Sequence, residues 1–292
     1  MGSHLHILGI CGTFMGGIAA IAKSAGHTVT GCDANVYPPM STQLEAQGIK
    51  LIEGFTADQI KLAPDVYVIG NVVTRGNPLM EEILNRGLPY ISGPQWLAEN
   101  VLRGRWVLAV AGTHGKTTTT SMIAFVLERA GLDPTAVIGG KVSAFGSNAR
   151  FGRGEYMVAE ADESDRSFLM LYPSIAVITN VDREHMEAYR SFEELQQAFT
   201  DFANKVPFYG SVVACADDPN LAPVIARLNR PVVTYGLEAQ DATFIGSQVE
   251  LGAFGGRCVV HRRLKDDAAR LGTLELALPG RHNLQNALAA VA

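Results

Sequence analysis

The feature that most constrains this chain is the run Trp106-Val-Leu-Ala-Val-Ala-Gly112-Thr-His-Gly115-Lys116-Thr117. A buried apolar strand runs there into a glycine-rich loop and then an amphipathic helix that stops at Gly131. Successive backbone N–H groups and a helix N-terminus then face whatever occupies the loop, and that concavity suits a polyphosphate. The pattern expects Gly112, Thr113, His114 and Gly115 to line it, Lys116 to reach the phosphates, and the Thr117 hydroxyl to ligate Mg2+, with Thr118 following on the helix. Generic phosphate loops carry a glycine where Val110 stands, so the loop is a shortened one.

The surrounding pattern is α/β. Apolar runs at 5–11, 66–69 and 89–91, a strand ending at Asp33, and helical patterns at 18–25 and 79–86 predict a small parallel sheet ending near Leu102. Beyond Trp106, strands are expected at 135–138, 155–160, 175–179, 211–216 and 231–235, with helices at 192–204 and 219–228. Residues 242–278 predict a small antiparallel addition, the charged stretch 262–270 being read as a solvated turn. With 292 residues and single cores of ~100–200 residues, two domains follow, 1–102 and 103–292. The chain stops within the helical segment His282–Ala292, and the expectation is that a further domain is missing.

Composition excludes several classes. The net charge of −5, without a basic run, gives no long-range field for nucleic acid or an anionic membrane, so an anionic ligand must be held locally. Four scattered cysteines without metal spacing, and no apolar run of membrane-spanning length, point to the cytoplasm. The pattern leaves the oligomeric state open.

Glu160 closes the apolar strand Tyr156-Met-Val-Ala, which predicts its carboxylate at the carboxyl edge of the sheet as a second Mg2+ ligand. Asp162, Glu163 and Asp165 follow as a charge run, read as a solvated loop. His185, reached from strand 175–179 through Asn180, is a candidate for a second metal site. Lys116 and His185 are both expected at a loop edge, outside the core. Near the N-terminus, Gly-Ile-Cys11-Gly12-Thr13-Phe14-Met15-Gly16 is not a dinucleotide fingerprint, because Cys11 takes the middle glycine's place.

In this order, GTHGKTTT, EADESD, a TN pair followed by a histidine, and GRHNLQNALAA resemble the central ATPase domain of the Mur ligases, which build the peptide of peptidoglycan on a UDP-sugar. The resemblance covers essentially the whole chain. It implies a Rossmann-like UDP-binding first domain followed by an ATP-binding domain, with an acceptor domain absent. It further implies that Lys116, Thr117 and Asn180 serve ATP and Mg2+, that Glu160 and His185 bind metal, and that His282 and Asn286, four apart on one helix face, contact adenine. Gly12 to Gly16, Asp33 and, within GNVVTRGNP, Asn71 are implied to hold UDP-N-acetylmuramate. Where the family has Asp-His and a further Asp, this chain has Glu184-His185 and Glu187, which lengthens the acidic arms around His185.

The activity implied is ATP-dependent joining of the lactyl carboxylate to an amine through an acyl phosphate. Residues 5–140 look like the family's tripeptide-adding, recycling member, and those from Gly146 onward like its alanine-adding member. The amine is read as L-alanine, with the tripeptide as alternative. A non-catalytic nucleotide-binding fragment is the reading from another class.

Overall fold

The computed structural model describes residues 2–142, 147–164, 166–264 and 267–292, so Asp165 of the acidic run lies outside the described residues. The chain forms two compact units, Met1–Arg105 with Leu132–Glu155, and Trp106–Gly131 with Tyr156–Ala292.

The first unit alternates strand and helix: β1 (His4–Leu8), α1 (Thr13–Ser24), β2 (Thr28–Asp33), α2 (Met40–Ala46), β3 (Lys50–Glu53), β4 (Val66–Ile69), α3 (Pro78–Asn85), β5 (Tyr90–Ser92) and α4 (Gly93–Leu97). Its sheet order is β3-β2-β1-β4-β5, every pairing parallel. Parallel neighbours need crossovers, which the helices provide. Asn77 caps α3 by accepting a hydrogen bond from the Met80 N–H at 3.1 Å, with Pro78 in the first turn where its missing donor costs nothing.

Two expectations for this unit change. The first strand stops at Leu8 instead of running to Cys11, because the Gly9 and Ile10 amides turn back onto the Cys32 carbonyl at 2.8 and 3.2 Å. Helix α1 starts at Thr13 instead of Ile18, so Thr13 to Gly16 are its first turn and Gly12 its cap.

The second unit opens with β6 (Trp106–Ala111) and α5 (Lys116–Arg129). The chain then supplies the first unit with an antiparallel pair, β7 (Thr135–Val142) and β8 (Ser147–Arg150). It resumes the second unit with β9 (Tyr156–Glu160), β10 (Ile175–Ile178), α6 (Phe192–Ala203), β11 (Ser211–Cys215), α7 (Ala222–Ile225), β12 (Val232–Gly236), β13 (Phe244–Gly252), β14 (Gly255–Leu264), β15 (Asp267–Leu276) and α8 (Arg281–Val291). Its strands run in the order β15-β14-β13-β12-β11-β10-β6-β9, parallel from β9 to β13 and antiparallel across β13-β14-β15. Under α6, Phe168 packs against Phe199 and Phe202 with ring centroids 5.3 and 5.2 Å apart.

The charged stretch 262–270 is mostly strand, which corrects the turn reading. Arg262 and Arg263 on β14 pair with Ala269 and Ala268 on β15, and residues 265–266 lie outside the described residues. Residues 262–264 and 267–271 are exposed on these strands, and an exposed strand accepts charge at successive positions, so polarity alone could not separate strand from turn. The helix expected at 219–228 contracts to Ala222–Ile225, where Pro219 and Pro223 remove donors.

Candidate active site

Parallel pairing brings the ends of three strands, β6, β9 and β10, to one edge of the second unit. Val110 is in register with Glu160 and Ala111 with Ile178, so the loop 112–115, the start of the acidic segment and Thr179-Asn180 emerge side by side. This carboxyl edge is where open α/β sheets bind ligands.

The loop is held by the segment after β10. The Thr113 N–H donates to the Asn180 carbonyl at 3.0 Å, and the Thr113 hydroxyl accepts from the Asp182 N–H at 2.8 Å. The Asn180 side chain accepts from the His114 N–H at 2.7 Å and donates to the His114 carbonyl at 2.9 Å; Thr179 Oγ1 donates to that carbonyl at 2.6 Å. Asn180 is thus a latch on the loop, both ends of its amide engaged. Gly112 has φ 138°, and a Cβ there would lie 2.0 Å from Thr179 Oγ1; Gly115, at φ 83°, would place one 2.5 Å from Asn286 Oδ1. Only glycine allows this loop both its backbone and its close neighbours.

Lys116 opens α5 and folds back over the loop. Its ammonium donates to the Gly112 carbonyl at 2.8 Å and to both Glu163 oxygens at 3.0 and 2.8 Å. Glu163 is only 1% exposed, so the solvated-loop reading is overturned for it: the chain buries this carboxylate as the partner of Lys116. Burial pushes the Glu163 carboxyl up, against the lowering pull of the Lys116 hydrogen bond. Asp162 stays exposed and accepts from the Ser164 amide and hydroxyl. With its side chain 12% exposed, Lys116 is more enclosed than a loop-edge residue.

Thr117 Oγ1 lies 3.1 Å from each oxygen of Glu160. A hydroxyl beside a carboxylate is an oxygen-only donor pair of the kind that suits Mg2+, a hard cation that keeps several waters and uses few protein ligands. The residues fit that ion. His185 sits elsewhere in the cluster, its Nε2 3.9 Å from Glu163 and its Nδ1 3.7 Å from Glu187. Among the described residues no three His, Cys, Asp or Glu side chains converge as a metal cage, so the structure groups His185 with Glu163 and Glu160 with Thr117. His185 has φ 56°, a left-handed conformation uncommon for a residue with a Cβ. Thr118 follows on the first turn of α5, half-buried.

Beside the loop lies a cavity of about 450 Å³ lined by His114, Gly115, Asn180, Tyr235, His282 and Asn286, among others. His282 is exposed and Asn286 buried, both on α8. Asp217, Asp218 and Gln285 also line it; the sequence reading missed them. The signal was available, since Asp217-Asp218 follows strand β11 at the same sheet edge that singled out Glu160.

In the first unit, Asp33 closes β2 and accepts from the Cys11 N–H at 2.9 Å, so one of its oxygens is already engaged in the turn. Gly12 and Thr13 are exposed, Phe14 is half-buried, and Gly16 is buried. The Met15 side chain is buried under Gly93, where an added Cβ would lie 2.5 Å from its sulfur. Only its backbone is left to meet a ligand. Asn71 is exposed in the turn after β4.

Family models match both parts: "Mur ligase family, catalytic domain" over residues 4–105 and "Mur ligase middle domain" over 110–292. The chain belongs to the Mur ligase family. It is 44% identical over 288 residues to the UDP-N-acetylmuramate–L-alanine ligase of Geobacter sp. (strain M21), covering 99% of this chain and 61% of that protein. It is 41% identical over 304 residues to the UDP-N-acetylmuramate–L-alanyl-γ-D-glutamyl-meso-2,6-diaminoheptandioate ligase of Escherichia coli (strain K12), covering 99% and 63%. The crystal structure of the corresponding ligase (MPL) from Neisseria meningitides superposes with a TM-score of 0.91 at 44% identity, covering 100% of this chain and 92% of that one. This Mur ligase chain therefore spans about three fifths of the curated relatives it matches. No helix among its described residues is long and apolar enough to cross a membrane.

Proposed function

We propose that this chain is the nucleotide-handling part of an ATP-dependent ligase that joins the lactyl carboxylate of UDP-N-acetylmuramate to an amine, with L-alanine as the amine. Residues 1–102 take the UDP-sugar and residues 103–292 take ATP, a division along the sequence that counts Leu132–Glu155 with the second part although they pack with the first unit. The observation that carries the reading is the pairing of Thr117 with Glu160 directly beside Lys116, an oxygen-donor pair and a cation at the mouth of a helix N-terminus.

A carboxylate is a poor electrophile, and phosphorylation gives it a leaving group. The γ-phosphoryl group moves from ATP to a carboxylate oxygen, ADP leaves, the amine attacks the carbonyl carbon, and phosphate departs with the C–O bond. Lys116 is drawn from Glu163 toward the phosphates and offsets charge there. Thr117 and Glu160 would hold Mg2+, with His185 beside them. The ion supplies further neutralisation of phosphoryl oxygens. Asn180 keeps the loop amides aimed inward, while His282 and Asn286 hold the adenine.

This activity belongs to peptidoglycan assembly in the cytoplasm, and through it to cell shape and division. The tripeptide-adding alternative is kept by a specific observation, the comparable identity to the Escherichia coli and Neisseria proteins. Phosphate release measured with UDP-N-acetylmuramate plus either L-alanine or L-alanyl-γ-D-glutamyl-meso-diaminopimelate, on a chain extended to the relatives' full length, tests both. Release that needs the UDP-sugar and L-alanine is expected. Release with the tripeptide alone would reassign the acceptor, and ATP turnover indifferent to the UDP-sugar would overturn the ligase reading.

A further inference from the structure

The cavity beside the phosphate loop contains one polar group whose direction is fixed by its surroundings. Gln285, on α8 next to Asn286, donates from Nε2 to Asp217 Oδ2 at 2.8 Å. The same carboxylate accepts from the backbone N–H groups of Leu237 at 2.7 Å, Glu238 at 3.0 Å and Ala239 at 2.8 Å. Burial works to raise the Asp217 carboxyl, but these four donors outweigh it and hold the group below the usual carboxylate range. An ionised carboxylate can only accept. The amide of Gln285 therefore has one orientation, NH2 toward Asp217 and carbonyl Oε1 away from it.

Among the described residues that carbonyl has no donor. The Gln285 side chain makes only the bond to Asp217 among the described residues, and both residues line the cavity. Asn286, the next residue on α8, sits against Gly115 of the phosphate loop, so a base lodged here is adjacent to the site of its own triphosphate.

We propose that Gln285, oriented by Asp217, is the residue that selects the base of the nucleotide: its Oε1 accepts from the exocyclic amine of a 6-aminopurine and faces the oxygen of a 6-oxopurine with repulsion. The proposal rests on the reading of this cavity as the base site of ATP. A site built to receive a substrate N–H discriminates strongly, because the analogue lacking it leaves a polar group unpaired. The alternative is that Gln285 only ties α8 to the segment 237–239; base preference separates the two.

Calorimetry of the wild-type chain and of Gln285→Met, which keeps the side chain's length, would use ATP, purine riboside triphosphate (the same nucleotide without the 6-amino group) and GTP. The wild type is expected to bind ATP about tenfold more tightly than purine riboside triphosphate, one hydrogen bond's worth, with GTP weaker still. In Gln285→Met the three affinities should converge to within about twofold, chiefly through loss of ATP affinity. Gln285→Leu substitutes if the methionine variant does not fold. An unchanged preference in the variant, with ATP still bound, overturns the role of Gln285 and leaves the nucleotide site standing. Failure of the wild type to bind any of the three overturns the nucleotide reading itself.

Discussion

Lys116 and Glu163 form a largely buried ion pair, the Lys116 ammonium donating to both Glu163 oxygens at 3.0 and 2.8 Å. In sequence Glu163 is one of four acidic residues within six, and such runs are usually solvated; in the structure it is 1% exposed and grips the one lysine of the phosphate loop. What hides this from the sequence is that the pair is non-local, 47 residues apart. Lys116 and Thr117 themselves were legible, because strand, loop and helix are contiguous and each position in the loop has a steric or charge requirement. The pair changes what Lys116→Ala should do. Removing the lysine strands a buried carboxylate, so beyond the loss of ATP binding the variant should lose about 2 to 4 kcal/mol of stability. Adding Glu163→Gln to it should recover part of that loss, since a neutral amide tolerates burial better. Thermal unfolding of the two variants checks this; an unchanged melting temperature in Lys116→Ala would mean the pair contributes nothing to folding.

At the scale of elements, alternating apolar runs and glycine stops placed most strands and helices, and misplaced those where backbone geometry decides. Helix α1 began five residues early because a turn closed by Cys32 and Asp33 is invisible to periodicity. The N-terminus of α5 depends on Gly115, and Gly115→Ala should cost about 1 to 2 kcal/mol for the left-handed backbone alone. It should also weaken ATP binding more than tenfold, because the new methyl collides with Asn286; wild-type affinity in the alanine variant would refute the placement of Asn286 against the loop.

Strand β1 makes a different prediction. His6 is fully buried, between Thr30 Oγ1 at 2.8 Å and Gln59 Oε1 at 3.1 Å. Gln59 directs its amide NH2 to the Gly54 carbonyl, so its oxygen faces His6 and the neutral ring carries its proton on Nε2. Burial, opposed by the Gln59 hydrogen bond and helped by His4, lowers the pKa to about 4. The unfolded chain then binds the proton first as pH falls below about 6.5. Stability should be constant with respect to this group above pH 7 and fall by about 3 kcal/mol in total between pH 6.5 and 4. Urea unfolding across that window should show the fall, and His6→Gln should flatten it.

For the whole molecule, the sequence points to an α/β chain with two candidate nucleotide sites, and the residues proposed for them fall in two compact units. The segment Leu132–Glu155, which joins the first unit after the phosphate-loop helix, has no sequence signature that assigns it there; chain contiguity argues for the opposite. A chain of net charge −5 offers the anionic ligands proposed for it no long-range attraction, so under that proposal each site works through local donors: the turn of Gly9 to Gly12 braced by Asp33 in one unit, the loop of Gly112 to Thr117 in the other. Two predictions follow from that locality. Asp33→Ala should weaken UDP-N-acetylmuramate at least tenfold, because it frees the turn that Cys11 anchors, and leave ATP within twofold when each ligand is measured alone. Lys116→Ala should do the reverse. Calorimetry with each ligand separately, and with NAD as a control that is expected not to bind, reads all of these outcomes. Loss of both ligands in either variant would show that the two sites are not locally built, and tight NAD binding would return the first unit to the dinucleotide class that Cys11 argues against.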